Sequence, residues 1–119
     1  MLWVRLGAIF MFLAVGLGAF GAHALRQRLS PEMLAIFETG VRYHVYHALG
    51  LFAVAWVADK SPASLANAAG WAFTVGIVVF SGSLYVLSMT GVRWLGAVTP
   101  LGGTAFLVGW VLLFLASIR

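Results

Sequence analysis

Residues 6–25, 43–58, 61–92 and 94–118 contain no Asp, Glu, Lys or Arg. Apolar runs of roughly 17–25 residues read as transmembrane helices, because only helices and closed barrels satisfy every backbone amide inside a bilayer. The run 43–58 reaches that length once its flanking turns are added. Nothing between the runs is long enough for a soluble domain. Charged residues make up 8% of the chain and hydrophobic ones 63%, against roughly 25% charged in an ordinary soluble domain. A water-soluble fold of 119 residues would expose that apolar excess, whereas lipid tolerates it. The fold class is therefore all-α: a four-helix transmembrane bundle forming one domain over residues 1–119.

Helix starts are marked in one way. All three prolines follow a hydroxyl residue, as Ser30-Pro31, Ser61-Pro62 and Thr99-Pro100. A hydroxyl at the N-cap accepts from an orphan amide, and proline at the first helical position sacrifices no hydrogen bond. These pairs predict helices over 31–58, 62–89 and 100–117, with Gly91 as a C-terminal cap and a first helix over 2–23. Residues 1–5 with the apolar 6–20 and Ala22-His23-Ala24 also fit a signal peptide. We expect the segment to be retained as the first helix.

Four spans place both termini and the 59–61 loop at one end, side A, and the 26–30 and 91–98 loops at the other, side B. Arg5, Lys60 and Arg119 fall on side A; Arg26, Arg28, Arg93 and the boundary residue Arg42 fall on side B. The positive-inside rule does not separate these totals. Trp3, Trp56 and Trp71 near side A and Trp94 near side B read as an aromatic belt of interface anchors. The net charge of +4 comes from isolated Lys and Arg residues between apolar runs, so it anchors headgroups and is no nucleic-acid surface. There is no cysteine, which removes thiolate ligands and nucleophiles.

Small residues recur on the helices, as at Ala14, Gly18 and Ala22, then Ala72 and Gly76, then Gly102, Gly103 and Gly109. They allow close helix approach, either within the chain or between copies in a homo-oligomer. Gly16, Gly18 and Gly21 match a dinucleotide-binding pattern in spacing only. They lie inside an apolar helix with no preceding strand.

The polar residues concentrate on side B. In Arg42-Tyr43-His44-Val45-Tyr46-His47 the two histidines share a helix face. Gly40, Tyr43, His44, His47, Gly50, Leu51 and Val54 are expected to point inward, and Val45, Leu49, Phe52 and Trp56 into lipid. Glu38 and Arg42 are expected to pair. His23 ends the first helix on side B, Tyr85, Ser81 and Ser88 lie in that half of the third, and Thr99 opens the fourth. The candidate pocket is thus His23, Tyr43, His44, His47, Tyr85, Ser81 and Thr99. A polar pocket inside a membrane bundle is a site hypothesis by default; hydrogen-bonded ties between helices are the alternative. His23, His44 and His47 are weak metal or haem candidates, since no carboxylate lies in the apolar spans.

Ordered motifs run along nearly the whole chain. They are Gly18-Ala-Phe-Gly-Ala-His-Ala-Leu25, then Thr39-Gly-x-x-Tyr-His-x-x-His-Ala-Leu-Gly-Leu51, then Gly82-Ser-x-Tyr85 with Thr90-Gly91, then Gly96-x-x-Thr-Pro-x-Gly-Gly103 with Gly109-Trp110. In this order they resemble the small membrane-protein family called domain of unknown function 423. The resemblance implies a four-helix protein of the bacterial cytoplasmic membrane and implies no activity. The resulting expectation is a non-enzymatic, cofactor-free membrane protein, oligomeric through its Gly/Ala faces. Its side-B pocket would take a small ligand, a lipid headgroup or a helix of another membrane protein. The alternatives are a transport or channel component with a His-lined path, or a metal- or haem-binding enzyme.

Overall fold

The structure is a computed structural model, and it describes residues 1–118. Arg119, assigned to side A from the sequence, lies outside the described residues. Five α-helices account for most of the chain: α1 (Leu2–Phe20), α2 (Pro31–Lys60), α3 (Ala63–Gly76), α4 (Gly82–Thr90) and α5 (Thr99–Ser117). Among the described residues there is no strand. A π-turn, Gly21–Leu25, extends α1, and a second, Ile77–Ser81, joins α3 and α4 into one rod. A 3-10 turn, Arg93–Ala97, leads into α5. The rods Leu2–Leu25, Ala63–Thr90 and Arg93–Ser117 are each long and apolar enough to cross a membrane. α2 is longer still, but Glu32, Glu38, Arg42, Asp59 and Lys60 and its two histidines dilute its apolar character.

The helices form a slab of 48 × 26 × 16 Å. α2 is the shared element: α1 packs along one flank, and the α3–α4 rod and α5 along the other. The core runs from side A to mid-bundle through Leu51, Val54, Ala66, Ala69, Phe73, Ile77 and Phe106. Lipid is as apolar as leucine, so close packing holds such helices together. Here it follows one rule, an aromatic ring of one helix seated on a glycine of another. A β-carbon at Gly70 would lie 2.6 Å from the Trp3 ring, one at Gly109 2.6 Å from Phe73, and one at Gly21 2.7 Å from Phe37. Gly76 receives Phe106, and Gly40 receives Tyr85, in the same way. Most of the small residues are therefore consumed within the chain. Gly16 and Gly82 meet nothing within 4 Å.

The hydroxyl–proline pairs act differently from one another. Ser30 is an N-cap, its Oγ accepting from the Met33 amide at 3.2 Å. Ser61 instead finishes the preceding helix: its Oγ donates to the Val57 carbonyl at 2.9 Å, and α3 starts after Pro62. The α2–α3 connection is too short for a free cap, so the hydroxyl serves the nearer orphan carbonyl. Thr99 is already helical, its Oγ1 turned back to the Leu95 carbonyl at 3.3 Å. Gly91 is the expected left-handed cap, at φ 74°, donating to the Leu87 carbonyl at 2.7 Å.

Candidate functional site

α2 turns its polar face into the bundle. Gly40, His44, His47, Gly50, Leu51 and Val54 are buried, whereas Leu49 and Trp56 are exposed; Val45 and Phe52, expected in lipid, are half-buried, the Phe52 ring lying against Gly7 of α1. Tyr43 departs from the expected inward set at 38% exposed, because it sits at the margin of that face.

Most of the buried polar side chains near side B tie two helices. Ser81, placed by the π-turn, donates to the Gly40 carbonyl of α2 at 2.7 Å. A π-turn shifts the side-chain phase within a helix, and here it aims a hydroxyl across the interface. The Tyr85 hydroxyl lies 2.8 Å from His44 Nδ1. Ser83 Oγ and Thr99 Oγ1, 2.6 Å apart, join α4 to α5. Ser88 bonds the Tyr85 carbonyl within its own helix. His23 does not join them and stands exposed on the first π-turn.

His47 is fixed in one protonation state by geometry. Trp110 Nε1 donates to its Nε2 at 3.0 Å, and its Nδ1 lies 2.7 Å from the Tyr43 carbonyl. An indole N–H only donates and a carbonyl only accepts, so the imidazole is neutral with its proton on Nδ1. The ring also stacks on Phe106, centroids 3.5 Å apart and planes 7° from parallel. Both nitrogens and one face are thus occupied. His44 keeps its Nε2 buried without a hydrogen-bond partner among the described residues. Among those residues no three His, Cys, Asp or Glu side chains come together as a metal site would need.

The predicted Arg42–Glu38 pair is not formed. Arg42 Nη2 donates to Thr39 Oγ1 at 3.2 Å, and the side-B ion pair is instead Arg93–Glu32 at 3.5 Å. Trp56, Trp71 and Trp94 are exposed, but Trp3, expected to be an anchor with them, is 5% exposed. Its Nε1 donates to Asn67 at 2.8 Å and its ring meets Trp71 edge-on, so it is a core residue holding α1 to α3.

Recesses open on the surface among the described residues. One, about 730 Å³, lies on side A between Trp3, Trp56, Trp71, Asp59 and Asn67. The second, about 400 Å³, is a lateral groove between α2 and α5, lined by Tyr43, Tyr46, His47, Phe80, Phe106 and Trp110 with Gly103 and Leu107. The third, about 260 Å³, is a notch between α1 and α2 at side B. Of the seven sequence-predicted pocket residues only Tyr43 and His47 line the lateral groove. Phe106 and Trp110 were not foreseen, although a mid-helix tryptophan whose N–H needs a partner was a usable signal.

The family described as "Protein of unknown function (DUF423)" matches residues 17–103, most of the chain. The chain belongs to this family. The relatives are named as membrane proteins. The UPF0382 membrane protein YwdK of Bacillus subtilis is 52% identical over 118 residues, covering 98% of this chain and 96% of that one. A UPF0382 membrane protein of Staphylococcus epidermidis is 44% identical, covering 98% and 95%. UPF0382 membrane protein SH2409 of Staphylococcus haemolyticus is 42% identical, covering 99% and 96%. No solved structure matches. Family membership and the three apolar rods agree that this DUF423 chain is an all-helical membrane protein.

Proposed function

We propose that this DUF423 protein is a four-span, non-enzymatic protein of the bacterial cytoplasmic membrane whose α2–α5 groove binds the ring-bearing end of an amphiphile from the lipid phase. The observation that carries the reading is the groove's wall. Tyr43, Phe80, Phe106 and Trp110 present aromatic faces around a space of about 400 Å³, within the range of small-molecule sites. Aromatic faces favour a ring partner in offset or edge-on contact. The Tyr43 and Tyr46 hydroxyls make no hydrogen bond within the protein among the described residues, which leaves two donors for a ligand oxygen. His47, neutral and held from both sides, serves as a rigid wall. α2 counts as the fourth span on this reading because residues 43–58 are uncharged and run alongside three rods that qualify on composition. The exposed Gly16 and Ala22 leave a strip of α1 for a second copy.

The test is a plug. A β-carbon at Gly103 would stand 3.7 Å from the Phe80 ring, an ordinary contact. Gly103→Leu should therefore fold while filling the groove. Solvent extraction of the purified protein, followed by mass spectrometry, should find one amphiphile class enriched over bulk lipid in wild type and missing from Gly103→Leu. Identical extracts from the two proteins would remove the reading.

A further inference from the structure

The notch between α1 and α2 carries an arrangement of charge that packing does not explain. Its floor is Gly18, Gly21, Phe37 and Val41, and its rim holds Glu38 and Arg42. Both rim residues are exposed. Glu38 makes no ion pair or side-chain hydrogen bond among the described residues, and Arg42 donates only to Thr39 Oγ1. An acid and a base at i and i+4 would ordinarily pair with each other. Here each is left facing outward beside a recess of about 260 Å³.

Their depths differ in a definite order. We take Trp56, exposed near the other end of the same helix, as the side-A boundary. From it Arg42 is 14 residues away, ~21 Å at ~1.5 Å per residue, and Glu38 is 18 residues away, ~27 Å. Across a ~30 Å hydrocarbon core this puts Glu38 at the side-B boundary and Arg42, expected at the boundary from the sequence, about one turn inside it. The arginine stem carries the guanidinium outward from there to phosphate level. The outer charge is then negative and the inner one positive, ~6 Å apart along the axis. A phospholipid with a terminal ammonium presents the mirror order, its phosphate next to the hydrocarbon and its ammonium further out.

We infer that the α1–α2 notch is a headgroup site for a phospholipid bearing a primary ammonium, of the phosphatidylethanolamine class. Arg42 takes the phosphate in charge-assisted hydrogen bonds. Glu38 takes the ammonium, whose three N–H donors a quaternary choline lacks. The recess beside Gly18 and Gly21 admits the glycerol end. A second copy of the chain would need a convex element to fill the notch, and the rim supplies charges instead.

The experiment is native mass spectrometry of the full chain in mild detergent with equal amounts of phosphatidylethanolamine, phosphatidylcholine and phosphatidylglycerol carrying the same acyl chains. Phosphatidylethanolamine should be retained about fivefold over each of the others, about 1 kcal/mol at 1.4 kcal/mol per tenfold. Glu38→Gln should bring it down to the phosphatidylcholine level, and Arg42→Gln should lower all three. Both side chains are exposed, so both variants should keep the wild-type helical signal. Gly18→Leu, whose β-carbon would meet only Val41 at 3.4 Å, fills the notch without touching either charge and should also abolish the preference. Equal retention of the three lipids, preference for phosphatidylglycerol, or a preference untouched by Glu38→Gln and Gly18→Leu would overturn the assignment. So would a lipid-free species of twice the monomer mass that Glu38→Gln abolishes, since that would give the notch to a second copy.

Discussion

Replacing Gly102 with alanine adds one methyl group where the chain has no room for it. A β-carbon there would lie 2.7 Å from both Cα and Cβ of Phe80 and closer still to its amide nitrogen. Carbon atoms pack best at about 3.5–4.0 Å, so α5 has to retreat from the π-turn by about 1 Å. The obstacle is backbone, which cannot rotate aside as a side chain can. The retreat also loosens the Phe106–His47 stack and the seat of Phe73 on Gly109. Overpacking of this kind costs about 1–3 kcal/mol, and a backbone clash belongs at the upper end. Alanine returns about 1 kcal/mol through helix propensity. The net expectation is a loss of about 2 kcal/mol. The same substitution at Gly16, which meets nothing within 4 Å, keeps only the propensity gain. The two variants should therefore differ by about 3 kcal/mol when unfolded with SDS in mixed micelles and followed by circular dichroism. If Gly102→Ala were as stable as Gly16→Ala, α5 could not sit against residues 77–81 as described.

Two further substitutions probe the polar ties. Trp110→Phe keeps a smaller aromatic ring but removes the one donor to His47 Nε2 among the described residues; the same unfolding assay should show a loss of at least about 1 kcal/mol, typical of interhelical hydrogen bonds in membranes, and no loss would mean that the His47 state is not set by Trp110. Ser30→Ala removes the one side-chain N-cap among the described residues and should cost about 1 kcal/mol, whereas Ser61→Ala should cost less, because the Ser61 amide still bonds the Val57 carbonyl at 3.1 Å; equal losses would contradict the different roles given to the two serines.

Much of the helical layout was legible because lipid imposes a simple rule: apolar runs must be helical, and charges and turn residues must separate them. The inward face of α2 was legible for the same reason, since spacing alone sorts His44, His47 and Leu51 from Leu49 and Trp56. What failed was the choice between local partners and whatever a neighbouring helix decided. Ser61 and Thr99 were read as caps of the helices that follow, but the carbonyls four residues back, Val57 and Leu95, took their hydroxyls. Trp3 was read as an anchor because tryptophan near a helix end usually is one. Gly70 of another helix makes room for its ring and Asn67 for its N–H, and neither is visible from position 3. The π-turn at Ile77–Ser81 has no signature in composition, yet it aims Ser81 at α2. The proposed pocket scattered accordingly: His44, Tyr85, Ser81 and Thr99 became ties, His23 stayed outside, and the open space moved to the aromatic side of His47.

The central claim is that α2 crosses the membrane as the fourth span, and single-cysteine labelling tests it most directly. The chain has no native cysteine, so each introduced thiol reports alone. Arg28→Cys, Ser64→Cys, Ala97→Cys and Ser117→Cys all replace exposed residues beyond or at the helix ends. Treated in oriented vesicles with a membrane-impermeant maleimide, positions 64 and 117 should label from one face and positions 28 and 97 from the other. Labelling of 28 and 64 from the same face would show that α2 does not span, and the four-span account would fail.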